Sequence, residues 1–164
     1  MVAMSLDEKY IWQLLGRVSD PEVPVLSVID LGVVRDVKIS DNKISVTITP
    51  TYSGCPAMQV IEEDIRNVLS GLDTEVEVIT VLSPAWTTDW LSEDGKRKLR
   101  EYGIAPPEHE VDKSVLFAEP TVVPCPKCHS RNTKMVSQFG STACKAHYQC
   151  NDCLEPFDYF KCLK

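Results

Sequence analysis

Cys125-Pro-Lys-Cys128 and Cys150-Asn-Asp-Cys153 fall within the last 40 residues of this 164-residue chain. Each Cys-x-x-Cys pair makes a tight knuckle that presents two thiolates, and a hairpin over 129–149 brings the two knuckles together as a tetrahedral Cys₄ site. The spacing predicts a zinc ribbon holding a structural zinc, because four soft thiolates in a closed set leave no coordination position open for chemistry. Some 40 residues cannot bury enough apolar surface alone, so the metal is expected to do much of the folding of this module. Iron in the same tetrathiolate, or no metal, is the competing reading.

Cys125-Pro-Lys-Cys128-His129 also fits the Cys-x-x-Cys-His pattern of covalent haem attachment. That reading leaves Cys150 and Cys153 unused and requires export, whereas the N-terminus carries Asp7 and Glu8 where a signal peptide has its basic region. A reducing cytoplasm is the expected setting, and there such pairs bind metal before they form disulfides. Cys144 and Cys162 fall outside the set of four. They read either as small buried hydrophobes or as a second thiol pair, redox-active or cluster-holding. Phe157, Tyr159 and Phe160 are expected to form the small ribbon core rather than a partner surface.

Ahead of the tail, periodicity predicts a helix over about 6–18, opened by a Ser5–Glu8 capping box and lined by Ile11, Leu14, Leu15 and Val18. Strands follow at 33–40 and 43–49 around an Asp41-Asn42 hairpin turn. A second helix begins at Pro56, a third strand runs over 75–82, and a last helix starts at Ser92 and stops before Gly103. The fold class is therefore α+β, helix-strand-strand-helix-strand-helix, with a C-terminal ribbon. The boundaries read as a domain over 1–104, a Pro-rich linker over 105–123 and the ribbon over 124–164.

Charge is uneven: residues 1–123 hold 11 Lys and Arg against 21 Asp and Glu, and 124–164 hold 6 against 3. An acidic body excludes a phosphate-gripping nucleic-acid domain. No run of residues approaches the roughly 20 apolar positions of a membrane span. With no histidine before His109, a Cys-His catalytic pair within the first domain is excluded, and no Walker loop or His-Glu-x-x-His motif is present.

One chemical candidate stands in the body. Thr51-Tyr-Ser-Gly-Cys55-Pro56 joins a strand to a helix, so Cys55 is expected at the helix N-terminus as an exposed thiol of lowered pKa. Asp20, Glu22 and Asp30 lie in loops, where they either coordinate metal or cap helices.

Asp20-Pro-Glu22, Asp30-Leu-Gly32, Thr47-Ile-Thr-Pro-Thr51-Tyr-Ser-Gly-Cys55-Pro56 and Pro84-Ala-Trp86-Thr-Thr-Asp-Trp90 resemble the small iron-sulfur assembly domain of SufT-type proteins. With Phe139-Gly-Ser-Thr-Ala-Cys144-Lys-Ala and Glu155-Pro-Phe-Asp-Tyr-Phe-Lys-Cys162 added, the whole chain resembles the PaaD-type family of the bacterial phenylacetyl-CoA epoxidase system. The resemblance implies a non-catalytic accessory or maturation protein of a multicomponent oxygenase in aerobic phenylacetate catabolism. Its implied partners are the oxygenase and reductase subunits or other iron-sulfur clients. It further implies a transient iron-sulfur cluster at Cys55, with Asp20, Glu22 and Thr51 as companions. A single cluster ligand needs others from a second protomer, which makes a homodimer an expectation too. Two other functions compete: a structural adaptor bridging oxygenase and reductase, and a thiol redox protein using Cys144 and Cys162.

Overall fold

The computed structural model describes residues 6–107 and 122–161, which divide into two compact units, Met1–Trp86 and Thr87–Lys164. The first unit opens with helix α1 (Glu8–Leu15), whose N-cap is Asp7, its side chain accepting from the Lys9 N–H at 3.2 Å. Ser5 of the expected capping box lies outside the described residues. The helix stops at Leu15, and Arg17 and Val18 continue as a tight turn through bonds to Leu14 and Leu15 carbonyls.

Strands β1 (Val34–Ser40) and β2 (Lys43–Ile48) form the hairpin read from Asp41-Asn42, with Ser40 paired to Lys43. Helix α2 (Met58–Leu69) then carries the chain to β3 (Glu75–Thr80), which runs parallel to β2, giving the order β1-β2-β3. Alternation along β2 sends Ile44, Val46 and Ile48 to the buried face. Ile11, Leu14 and Leu15 of α1 and Ile61, Ile65 and Leu69 of α2 cover that face, since both helices space their apolar residues at three and four.

Between α1 and β1 the chain is shaped by two buried carboxylates. Asp20 Oδ1 accepts from the Glu22 N–H (2.8 Å) and the Val23 N–H (2.7 Å), and Asp30 Oδ2 accepts from the Ser27 N–H and hydroxyl, both at 2.9 Å. Gly32 then turns with φ +67°, and the buried Trp86 Nε1 donates to the Leu31 carbonyl at 2.7 Å. Trp86 thereby ties the end of the unit to the Asp30-Leu31-Gly32 turn.

The second unit begins earlier than the sequence boundary at 104. It contains helix α3 (Glu93–Tyr102), capped by the Ser92 hydroxyl at 2.9 Å from the Gly95 nitrogen and closed by Gly103 at φ +89°. Strands β4 (Ile104–Ala105), β5 (Thr133–Ser137), β6 (Lys145–Cys150) and β7 (Pro156–Phe160) form one sheet in the order β4-β7-β6-β5. The two-residue β4 pairs in parallel with β7, and Ala105 enters the ribbon core with Val123, Ala146, Tyr148 and Phe157. Ala105, read from sequence as the first linker residue, is therefore a sheet residue; most of the expected linker, 108–121, lies outside the described residues. Phe157 and Phe160 are buried, and Tyr148 stacks on Phe157 at 5.8 Å between ring centroids, so the aromatic run is core. Among the described residues no helix is long and apolar enough to cross a membrane.

Replacing Trp86 by Phe removes the donor to a buried carbonyl, and the expected cost is about 2 kcal/mol. It is read as a lower urea midpoint at unchanged slope. A loss under about 0.5 kcal/mol would show that this hydrogen bond does not hold the turn.

Candidate functional site

The sulfurs of Cys125, Cys128, Cys150 and Cys153 all lie within 4.8 Å of one another, with Cys125 to Cys153 at 3.7 Å and Cys128 to Cys150 at 3.6 Å. A tetrahedron with metal–sulfur bonds of about 2.3 Å has edges of about 3.8 Å, so the four fit one tetrahedrally bound ion. Backbone geometry explains the convergence. The two knuckles repeat one design: Cys125 N–H donates to the Ser130 carbonyl and Cys150 N–H to the Glu155 carbonyl, both at 2.9 Å. The residue after each second cysteine turns left-handed, His129 at φ +61° and Leu154 at φ +62°. Lys127 bridges to Glu155 at 2.7 Å across the knuckles, while Asp152 accepts from Ser130 and Asn132, which hold its carboxyl below the usual range.

Electrostatics also point to a cation. The backbone N–H groups of Cys153 and Asp152 aim at Cys150 and pull its thiol down to about 7. The Ser130 N–H pulls Cys128 the same way, but the neighbouring Cys153, Cys150 and Cys125 sulfurs, with burial, push it up to about 12. Four sulfurs this close resist ionising together, and a dication is what permits a full tetrathiolate. Cys125 and Cys128 face Cys150 and Cys153, which removes the haem-attachment reading. His129 is exposed, and the His147 ring bonds Asp158 at 3.2 Å, so neither histidine joins the set.

Cys55 sits in the loop between β2 and α2, three residues before the helix begins at Met58. The N-cap is Ala57, and Cys55 closes a turn through its N–H to the Tyr52 carbonyl at 3.1 Å. It is half-buried rather than exposed. Burial raises its pKa; the Ala57 N–H and the Thr51 hydroxyl act to lower it, while the charges of Glu22 and Asp20 raise it further. The thiol is therefore less acidic than normal, which corrects the expectation of a lowered pKa. Helix-dipole stabilisation loses here to desolvation and two nearby carboxylates.

The Thr51 hydroxyl thus hydrogen-bonds Cys55, and the charges of Asp20 and Glu22, from the loop between α1 and β1, act on it. The fold does not bring them to ligand distance: among the described residues the only group of three or more His, Cys, Asp or Glu side chains close enough to share an ion is the tail tetrad. Asp30 is engaged with Ser27 as a loop cap. Beneath the same strand end the Thr49 hydroxyl is wholly buried without a hydrogen-bond partner. Cys144 is buried, its sulfur 3.1 Å from the Thr142 hydroxyl, as the small-hydrophobe reading expects. Cys162 lies outside the described residues. Trp86 is the residue that sequence reasoning gave no role, although its indole N–H, which needs a partner when buried, was the available signal.

Because only thiolate reacts, alkylation of Cys55 by iodoacetamide should rise about tenfold per pH unit between about pH 7 and about pH 8.5. Glu22→Gln should speed the reaction at neutral pH by removing one raising charge. A rate already level by about pH 7 would contradict the raised pKa.

Comparison with known proteins places this geometry. Residues 8–81 match the family described as iron-sulfur cluster assembly protein, and residues 109–161 match the PaaD zinc beta ribbon domain. The chain is 49% identical over 154 residues, 93% of its own length and 92% of the relative's, to a protein of Escherichia coli (strain K12) named as the D subunit of 1,2-phenylacetyl-CoA epoxidase. It is 35% identical over 95 residues to the "Fe-S protein maturation auxiliary factor" of Porphyromonas gingivalis, covering 56% of this chain and 90% of that one. The solved DUF59 domain from Bacillus anthracis superposes with TM-score 0.53 at 33% identity, over 56% of this chain and 90% of that one. The chain belongs to the PaaD-type family of phenylacetyl-CoA epoxidase proteins and joins an iron-sulfur assembly domain to a PaaD zinc ribbon.

Proposed function

We propose that this protein is a non-catalytic accessory factor that assists iron-sulfur cluster or metal-centre assembly in the phenylacetyl-CoA epoxidase system. The observation that carries the reading is Cys55, held on the β2–α2 loop with Thr51 against it and the charges of Asp20 and Glu22 acting on it. A thiol of raised pKa stays protonated at neutral pH and gives up its proton only to a strong competitor, which iron is. Asp20 and Glu22 supply negative potential that draws a cation toward the sulfur. One sulfur cannot complete a cluster site, so the remaining ligands come from a client or a second copy of this chain, and the cargo is held for transfer rather than kept. The relatives named as iron-sulfur maturation factors support this reading of the first unit.

The ribbon's part is structural: Cys125, Cys128, Cys150 and Cys153 would hold zinc, which fixes the two knuckles and supplies no catalysis. Reduced thiols suit a cytoplasmic setting. The adaptor reading draws on one further observation, the exposed Val136 (57%) and Phe139 (55%) on the ribbon. Such exposed apolar side chains would let the ribbon dock on oxygenase or reductase subunits while Cys55 serves the cluster.

Cys55→Ser, co-expressed with the iron-sulfur reductase of the system, should lower cluster occupancy of that reductase several-fold while the chain stays folded and keeps its ribbon metal. Unchanged occupancy would overturn the maturation role. Copurification that survives the substitution, with occupancy unchanged, would move the function to the adaptor.

A further inference from the structure

The four ribbon sulfurs differ in their exposure. Cys125 and Cys150 are fully buried, Cys153 is half-buried, and Cys128 alone is exposed. Hydrogen bonding differs as well. Backbone N–H groups of Cys153 and Asp152 both act on Cys150, whereas that of Ser130 acts on Cys128 and that of Glu155 on Cys153. The Lys127 ammonium lies close enough to Cys153 and Cys125 to interact with their charge. Hydrogen bonds and nearby cations both withdraw charge from a thiolate and blunt its nucleophilicity, as burial blunts access. Cys128 therefore combines access with the lighter damping, and the Cys150 sulfur lies 3.6 Å from it in the opposite knuckle.

We propose that Cys128 is an oxidation site through which a hydroperoxide opens the ribbon and releases its metal. The Cys128 thiolate attacks one oxygen of hydrogen peroxide, breaking the O–O bond to give the sulfenic acid and one hydroxide. The Cys150 thiolate then attacks the Cys128 sulfur, forming the Cys128–Cys150 disulfide and expelling a second hydroxide. Two sulfurs each lose one electron and the peroxide gains two. The metal loses two of its four anionic ligands and leaves. Cys150 belongs to the core with Ala146, Tyr148 and Phe157, so a disulfide there unsettles the packing as well as the site. A thiol reductant reverses both steps.

The inference rests on the ribbon binding a metal and is independent of Cys55's role; client occupancy tests one and metal release the other. The full chain, loaded with one zinc, is treated with hydrogen peroxide, release is followed with a chromogenic zinc chelator, and the disulfides are mapped by mass spectrometry. The expected result is zinc release, a Cys128–Cys150 linkage, and recovery of zinc binding after reduction. Cys128→His, which keeps a Cys₃His set, should slow release by about tenfold, while Cys153→His should release at close to the parental rate. Should Cys128→His not retain zinc, brief alkylation of the zinc-loaded parent decides, with Cys128 expected as the first of the four to be modified. A linkage between Cys125 and Cys153, equal release from Cys128→His and the parent, or first modification at another ribbon cysteine would overturn the proposal.

Discussion

The second half of the chain depends on the convergence of four sulfurs within 4.8 Å. Its core is small, and two of its members are themselves the metal-ligand candidates Cys125 and Cys150. Metal binding and core packing are thus one event: the knuckle that orients Cys150 also seats Tyr148 against Phe157. The left-handed residues His129 and Leu154 are the backbone cost of bending the chain twice around one point. Pairing of β4 with β7 follows, because a ribbon of three strands leaves an edge and the two residues after α3 hydrogen-bond to it.

In the first unit the controlling constraint is electrostatic. Cys55 stands in the loop between β2 and α2, just ahead of the helix, where a helix would lower a thiol pKa if the site were open. It is half-buried instead, and the charges of Glu22 and Asp20 bear on it from the preceding loop, itself held by the Asp20 turn. The result is a thiol kept neutral in a negative field. Such a group is a poor catalytic nucleophile at neutral pH and a suitable acceptor for a cation that displaces its proton. That balance is what the proposed cargo role of Cys55 requires.

Much of this was legible in the sequence because the signals are local. The Cys-x-x-Cys pairs, the Asp41-Asn42 turn, the Ser92 cap and the alternation of Ile44, Val46 and Ile48 each sit within a few residues of the feature they specify. What escaped depends on distant partners. Strand β4 is two residues long and exists only because Ile104 and Ala105 meet Asp158 and Tyr159. The acidity of Cys55 is set by residues some 30 positions earlier and by burial, neither of which a strand-loop-helix pattern reports. Pro56 suggested a helix start, yet the first helical residue is Met58, as a separate turn from the Cys55 carbonyl to the Met58 N–H, 3.4 Å, occupies the intervening positions.

On the proposed reading, the molecule's metal chemistry is divided between a permanent tetrathiolate and a single exchangeable thiol. The most direct test is the zinc, iron and acid-labile sulfide content of the protein purified without oxygen, measured for the parent and for Cys55→Ala side by side. The account predicts zinc at one equivalent per chain in both, with substoichiometric iron and sulfide in the parent alone. Iron and sulfide retained in Cys55→Ala, or absent from both after iron and sulfide loading, would contradict it.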